Sequence, residues 1–475
     1  MSAQILLQGR LLGTESYLLA SPADKDNRAF EARLVWLALL GEVLPRALLA
    51  DLKLPALMLG SAGGGRFLVI LPDPPRAEAA AQFLARANKA LAEIASGAVR
   101  IAWSATENLG DWTVVRKRLH DGMSEAVKAR VADPGFFEPF VPTTTPADRI
   151  PRGLRDAAGI GWSFDFPALI AVEGGEHRWD LGRQASPDNI ALTRHAARNG
   201  DAVASTKELA RRAHGRKLWG MLRGEIDDFG LRMRRVQSVE EHVQLAMLYK
   251  QFLAGEIELL CSQGEYFQRV TILHAGSADF AVCGSWDALA GFARELQRVF
   301  ALFAQENLKD LPGAEAKTVT MALTLANPGD SLGRTWEDNV RDLEIAKAAD
   351  KDCLYILGRV LEWKQLADAT DLKEAIVQLN EEFRGGRQFL EQLRNLYKKV
   401  ETPDRTVGQG DHERLMARAI RFQRRFARVA TRRDREFQKL RAHLMKEMAG
   451  RNLRGKLKLR PEGLVALDWA RLAED

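Results

Sequence analysis

The run Leu273-His274-Ala275-Gly276-Ser277-Ala278-Asp279-Phe280-Ala281-Val282-Cys283-Gly284 reads as two short apolar strands joined by a tight Gly-Ser-Ala-Asp turn. Carboxylates raised to the tip of such a hairpin can hold two Mg²⁺ ions, which clamp the attacking and leaving oxygens of a phosphoryl transfer. Only one carboxylate, Asp279, stands at this tip. The hairpin signal is intact while its chemistry is thinned.

The elements that must carry the hairpin follow a β-α-β-β-α-β order. A strand over 218–226 precedes a helix over 239–261, and strands over 267–275 and 280–284 form the hairpin. A helix over 287–306, a strand over 318–326, a helix near 335–349 and a strand over 353–358 follow. The same order opens the chain, where a strand starts at Ile5 and helical spacing covers 28–50. Strands over 56–59 and 66–71 flank Gly63-Gly64-Gly65, a helix covers 76–96, and a strand over 99–103 closes the unit. Each unit is a ferredoxin-like sheet, so the architecture contains an internal duplication. Pro- and Thr-rich residues from Pro134 to Pro151 mark a boundary, and 152–213 carries no strong period. From about 367 onward the pattern is helical throughout. We expect an α+β protein with ferredoxin-like domains over 1–133 and 214–366, a small linker domain over 134–213 and a basic C-terminal helical bundle over 367–475.

The 475 residues are 46% apolar and 28% charged, ordinary for soluble globular protein. No apolar run is long enough to span a membrane, and no cationic-then-apolar leader opens the chain, so the expectation is a cytoplasmic protein with no membrane partner. Cys261, Cys283 and Cys353 are far apart in apolar segments and read as reduced core thiols. Residues 411–460 hold 17 Lys and Arg against 5 Asp and Glu, an excess of 12 positive charges in a chain of net charge +6. Everything outside this segment is therefore net negative. Arg421, Arg424, Arg425, Arg428, Arg432, Arg433 and Arg435 crowd together there, and Arg451, Arg454, Lys456, Lys458 and Arg460 extend them. That density favours contacts to phosphates or another acidic partner over a solvated face of mixed sign. The palm strands carry no aromatic RNA-reading motif, so base-specific readout is not expected.

Two ferredoxin-like palms, a linker and a helical C-terminal part resemble the large palm-domain subunit of type III CRISPR effector complexes. Gly220-Met221-Leu222-Arg223-Gly224-Glu225-Ile226-Asp227-Asp228-Phe229-Gly230 is similar to that family's first-strand motif, in ideal form Gly-Asp-x-Asp-Asn-Leu-Gly. Gly276-Ser277-Ala278-Asp279 lies where the family has Gly-Gly-Asp-Asp. Gly284-Ser285-Trp286-Asp287, Gly358-Arg359-Val360-Leu361-Glu362-Trp363 and Gly63-Gly64-Gly65-Arg66 match further family runs in the right order. The resemblance implies a cyclase that joins ATP into cyclic oligoadenylates, with Mg²⁺ held by the first-strand and hairpin carboxylates.

The departures from that pattern shape the expectation for this chain. Carried over by position, the vestigial metal and nucleotide site is Glu225, Asp227, Gly276, Ser277 and Asp279, with Lys347 and Lys351 where similar palms hold a triphosphate. Glu225 stands for Asp, Ala278 removes a ligand, and Ser277 adds a Cβ where a phosphate needs close backbone approach. The bland reading of the three carboxylates is a leftover polar rim, and of the two lysines a solvated helix end. No histidine precedes His120, so the nuclease domain that often opens the family is expected to be absent, and three cysteines cannot build its four-cysteine zinc module. His120-Asp121 reads as a surface pair. We therefore expect no catalytic or metal-binding residues and no cofactor, Mg²⁺ and ATP entering only if the palm is still active. The partners implied are crRNA and target RNA, the subunit that binds the crRNA 5′ handle, the repeated backbone subunits and the helical small subunits. Target RNA cleavage would belong to the backbone subunits.

Overall fold

The protein is described here by a computed structural model covering residues 4–19, 27–131, 150–182, 189–309, 311, 317–382, 449–451 and 457–474. The first unit runs β1 (Ile5–Leu12), α1 (Asn27–Asp51), β2 (Leu59–Gly63), β3 (Arg66–Leu71), α2 (Pro74–Ile94), β4 (Arg100–Glu107) and α3 (Trp112–Val131). Its sheet order is β2-β3-β1-β4, the ferredoxin-like arrangement expected from the sequence. The hairpin turn is Gly64-Gly65, both at positive φ (56° and 70°), as a primed two-residue turn requires. Asp73 starts α2 by accepting from the Arg76 amide, with prolines at the first helical positions. Residues Ala56–Met58, expected to be strand, form a single 3₁₀ turn. Pro55 supplies the extended entry residue, and the strand proper begins only at Leu59.

The stretch with no periodic signal holds a small sheet of β5 (Gly159–Trp162), β6 (Ile170–Ala171), β7 (His177–Gly182) and β8 (Asn189–Ala191), in the order β6-β5-β7-β8. Strands of two to six residues are too short to show an alternation of their own. Trp162 and Trp179 of this sheet are buried in the same apolar core as α1 and α2, and Trp36 Nε1 donates to Ala168 O at 3.0 Å.

The second unit runs β9 (Trp219–Ile226), α4 (Phe229–Arg235), α5 (Val239–Gln251), β10 (Val270–Ala275), β11 (Asp279–Ser285), α6 (Trp286–Asn307), β12 (Val319–Ala326), α7 (Leu332–Ala348), β13 (Cys353–Ile356) and β14 (Arg359–Glu362). Its order, β10-β11-β9-β12-β13-β14, is the ferredoxin-like sheet widened by a parallel strand and a final antiparallel one. The run from Gly358, expected to follow the last palm strand, thus makes one more hairpin strand. The helix expected over 239–261 runs that full length, with a π-helical turn at Phe252–Glu256 inside it before a last α turn at Ile257–Cys261.

Two cores hold the chain together. One face of the second sheet (Leu222, Ile226, Phe280, Val282) packs with α5 and α6. The other (Met221, Leu273, Ala281, Cys283) joins the core of the first unit around α1. All three cysteines are buried and free. Helix α8 (Trp363–Glu382) and the terminal α9 (Pro461–Glu474) place Leu366, Ala369, Val465, Trp469 and Leu472 in the second palm's core. The C-terminal part is not helical throughout. Ala449–Arg451 and Leu457–Leu459 form an antiparallel ribbon, for which the apolar-basic-apolar alternation Leu457-Lys458-Leu459 is suited.

Candidate functional site

The two glycine hairpins meet tip to tip. A Cβ on Gly63 would fall 2.9 Å from Ser277 Oγ, and one on Gly64 3.2 Å from Ser277 N. A Cβ on Gly276 would come within 2.5 Å of Asp279 Oδ1 and 3.3 Å of Gly64 Cα, so that position is glycine for want of space. Gly276 N donates to Asp279 O at 2.7 Å and closes the second turn. Beside the junction lies a cavity of about 220 Å³, lined from the first palm by Glu15, Glu42 and Gly64, and from the second by Arg223, Lys250, His274, Asp279 and Trp336.

Strand pairing sets Glu225 of β9 directly opposite Asp279 of β11, and because opposed residues share a face, both point toward the first palm. Asp279 is half-exposed, with Oδ2 3.3 Å from His274 Nε2. Burial of its surroundings pushes the Asp279 carboxyl up, but His274, Arg223 and Arg66 outweigh it and hold the group below its ordinary value. Arg223 stacks over the Trp336 ring at 4.0 Å, and its Nη1 is buried without a hydrogen-bond partner. Burial lowers its pKa, opposed by Asp279, Glu15 and Glu225. At the cavity wall, Glu42 Oε2 accepts from Arg46 at 2.9 Å and from Lys250 at 2.6 Å, so a buried ion triad joins α1 to α5 across the two palms. The π-helical turn starts two residues after Lys250, at Phe252, and sets Ala254 into the same wall.

The residues expected at the site do not share one role. Glu225 is engaged by Lys347 Nζ at 2.9 Å, which also reaches Glu344 at 2.9 Å. Partial burial lowers the Lys347 ammonium, but these two carboxylates raise it on balance. Lys351 Nζ binds Asp228 Oδ1 at 2.7 Å, and that contact raises its pKa. Both lysines, read from the sequence as a triphosphate contact or a solvated helix end, pair with carboxylates of this chain while their side chains stay partly exposed. Asp227, expected on a polar rim, is buried instead. It accepts from Thr320 Oγ1 at 2.7 Å, Thr318 Oγ1 at 2.8 Å and Asp352 N at 3.2 Å. Its backbone is one step past the last strand residue, Ile226, where the side chain turns under β12. Asp228, Asp350, Lys351 and Asp352 all have positive φ, so strained backbone is concentrated around that carboxylate.

This donor set does not fit the two Mg²⁺ ions the resemblance implies. Asp227 already accepts three hydrogen bonds through its two oxygens, Glu225 faces the Lys347 ammonium, and Ala278 has no side-chain oxygen. Among the described residues, no three His, Cys, Asp or Glu side chains gather as a metal-ligand set. His274, Arg223, Lys250 and Glu42 were not singled out from the sequence. His274 lies in the hairpin run itself and Arg223 in the first-strand motif, whereas Glu42 and Lys250 are 208 residues apart and give no local signal. His120 and Asp121 are both exposed, as expected. Arg421, Arg424, Arg425, Arg428, Arg432, Arg433, Arg435, Arg454 and Lys456 lie outside the described residues. Arg451 and Lys458 fall on the ribbon, where only the backbone is described.

Residues 218–355 match the family described as Cas10/Cmr2, second palm domain. Over the whole chain the fold is that of Csm1. A crystal structure of the Csm1-Csm4 cassette with pppApA gives a TM-score of 0.76 at 15% identity, covering 99% of this chain and 69% of that one. The Csm1-Csm4 subcomplex of the type III-A CRISPR-Csm interference complex gives 0.74 at 14% identity, over 100% and 70%. Csm1 from T. onnurineus gives 0.72 at 14% identity, over 99% and 70%. No curated protein sequence matches. The second ferredoxin-like unit is thus similar to a Cas10/Cmr2 second palm domain, and the fold of the whole chain is like that of Csm1.

Proposed function

We propose that this chain is a catalytically degenerate large subunit of a type III CRISPR RNA-guided antiviral ribonucleoprotein. It organises crRNA, target RNA and small subunits by shape and charge, while backbone subunits cut the target RNA. One observation carries the reading: carboxylates of the palm are engaged from within, Glu225 by the Lys347 ammonium and Asp227 by hydrogen bonds from two threonine hydroxyls and an amide. Losing carboxylate ligands from a two-metal centre removes the charge that steadies the attacking and leaving oxygens, and each ~1.4 kcal/mol lost is tenfold in rate. A subunit like the Csm4 that accompanies Csm1 is supported as a partner by the solved structures, and crRNA and target RNA are proposed from the family resemblance. The test is incubation of the assembled complex with ATP, Mg²⁺ and matching target RNA. No cyclic oligonucleotide is expected, and robust product would overturn the assignment.

A second reading keeps the palm as a residual enzyme that makes cyclic oligoadenylates when target RNA binds. It is favoured by the opposed Glu225 and Asp279 and by the cavity beside them, where Arg223 Nη1 is unpaired. Asp279→Ala should then abolish product while sparing assembly.

A further inference from the structure

Six ionisable side chains line the cavity at the seam between the palms, and four of them engage one another. Lys250 binds Glu42 at 2.6 Å, and His274 stands 3.3 Å from Asp279. The two left over are Arg223 and Glu15. Neither side chain has an ion pair or hydrogen bond among the described residues. Burial lowers the Arg223 pKa, and Asp279 and then Glu15 are the carboxylates that offset it most, so the two unpaired charges lie within electrostatic reach of each other. Glu15 is exposed and adjoins Thr14, which also lines the cavity.

Arg223 stacks on Trp336, and two donors of this pair, Arg223 Nη1 and Trp336 Nε1, are buried with no acceptor. Buried donors left unmet are costly, most of all on a cation, so this wall is suited to an anionic oxygen. Much of the remaining lining is apolar, with Leu11, Leu18, Leu34 and Leu37 from the first palm and Leu192 from the linker. The volume of about 220 Å³ lies below the roughly 300–1,000 Å³ of pockets for drug-sized ligands. A polyphosphate would bring several negative charges beside Glu15, Glu42 and Asp279, with one unpaired cation to meet them. A small molecule with one anionic group, one cationic group and an apolar remainder matches every part of this lining. Those are the features of a free α-amino acid.

We propose that the cavity binds a free apolar α-amino acid, its carboxylate on the Arg223 guanidinium, its ammonium toward Glu15 and the Thr14 hydroxyl, and its side chain against the leucines and Trp336. The inference goes beyond the scaffold reading and requires no chemistry from the palm. The test is calorimetric titration of the full chain with L-leucine, L-methionine and L-phenylalanine. At least one should bind with a Kd of about 0.1 mM or tighter. The amide of the tightest ligand, which lacks the carboxylate, should bind at least about tenfold more weakly. The deaminated acid, which lacks the ammonium, should bind about fivefold more weakly, the smaller factor reflecting an exposed Glu15. Glu15→Gln, an exposed change, should erase that preference for the amino acid over its deaminated form. Arg223→Met should abolish binding of both, and if that variant does not fold, the two analogues and Glu15→Gln still decide. No heat with any of the three amino acids, equal binding of the amide, or a preference that survives Glu15→Gln overturns the proposal. If inorganic phosphate or MgATP binds and the amino acids do not, the cavity is an anion site and the proposal fails. The cyclic-product assay on the assembled complex is read separately, so neither result decides the other.

Discussion

Lys347 Nζ lies 2.9 Å from Glu225 Oε2, so a lysine from α7 occupies the space in front of the first-strand carboxylate. Glu225 in turn faces Asp279 across the β9–β11 pair, and Asp279 is held by His274. Each of these two opposed carboxylates thus has a basic partner of its own within the chain.

Removing that ammonium and restoring a ligand should move the palm toward metal binding. Unit charges about 4 Å apart interact by about 1–4 kcal/mol between water and a protein-surface dielectric, so relief of one repulsion is worth about fivefold or more. We expect the double change Lys347→Ala and Ala278→Asp to bind Mn²⁺ at least tenfold more tightly than wild type, read by electron paramagnetic resonance. Equal affinity would show that Lys347 is not what keeps cations out.

Asp227 should behave as a structural residue. Asp227→Ala leaves the Thr318 and Thr320 hydroxyls and the Asp352 amide without their acceptor. Orphaned buried groups of this kind cost about 1–3 kcal/mol, and the loss should appear in chemical denaturation with or without Mg²⁺. A metal ligand would behave in the opposite way, since removing it relieves repulsion in the metal-free protein.

The Glu42–Lys250 contact, 2.6 Å across the palms, predicts strong non-additivity. Lys250→Met leaves a buried Glu42 with Arg46 alone, and breaking a buried pair costs about 3–5 kcal/mol. Adding Glu42→Gln should recover a large part of that loss. A double-mutant cycle that is additive within about 0.5 kcal/mol would mean the triad does not couple the palms.

Acid should loosen the seam through His242. Its ring meets Trp112 of α3 edge-on at 5.5 Å, and burial with Arg116 nearby drives its pKa from 6.5 down to about 4. The neutral form is native, so the unfolded chain binds the extra proton between those values. Stability from this site is complete above pH 6.5 and is lost as pH falls toward 4, by about 3 kcal/mol at 1.36 kcal/mol per unit. His242→Leu should flatten the stability profile over that window. A wild-type profile already flat there would exclude the effect.

The duplicated β-α-β-β-α-β order, the two glycine turns and the missing hairpin carboxylate were all legible from the residues, because each is a local signal. Turn glycines, apolar period and a lost Asp act within a few positions of themselves. The linker sheet escaped notice because its strands are too short to repeat, and the ribbon because it interrupts a helical pattern for only three residues a side. What only the tertiary structure decided is the electrostatic fate of the carboxylates. Lys347 is 122 residues from Glu225, Lys351 123 from Asp228, and Lys250 208 from Glu42, so no spacing rule joins them. The sheet order brings α7 and the turn between α7 and β13 against the end of β9. Once there, charge and desolvation select the pairs, because a carboxylate at a half-buried strand end is stable only beside a cation or a donor.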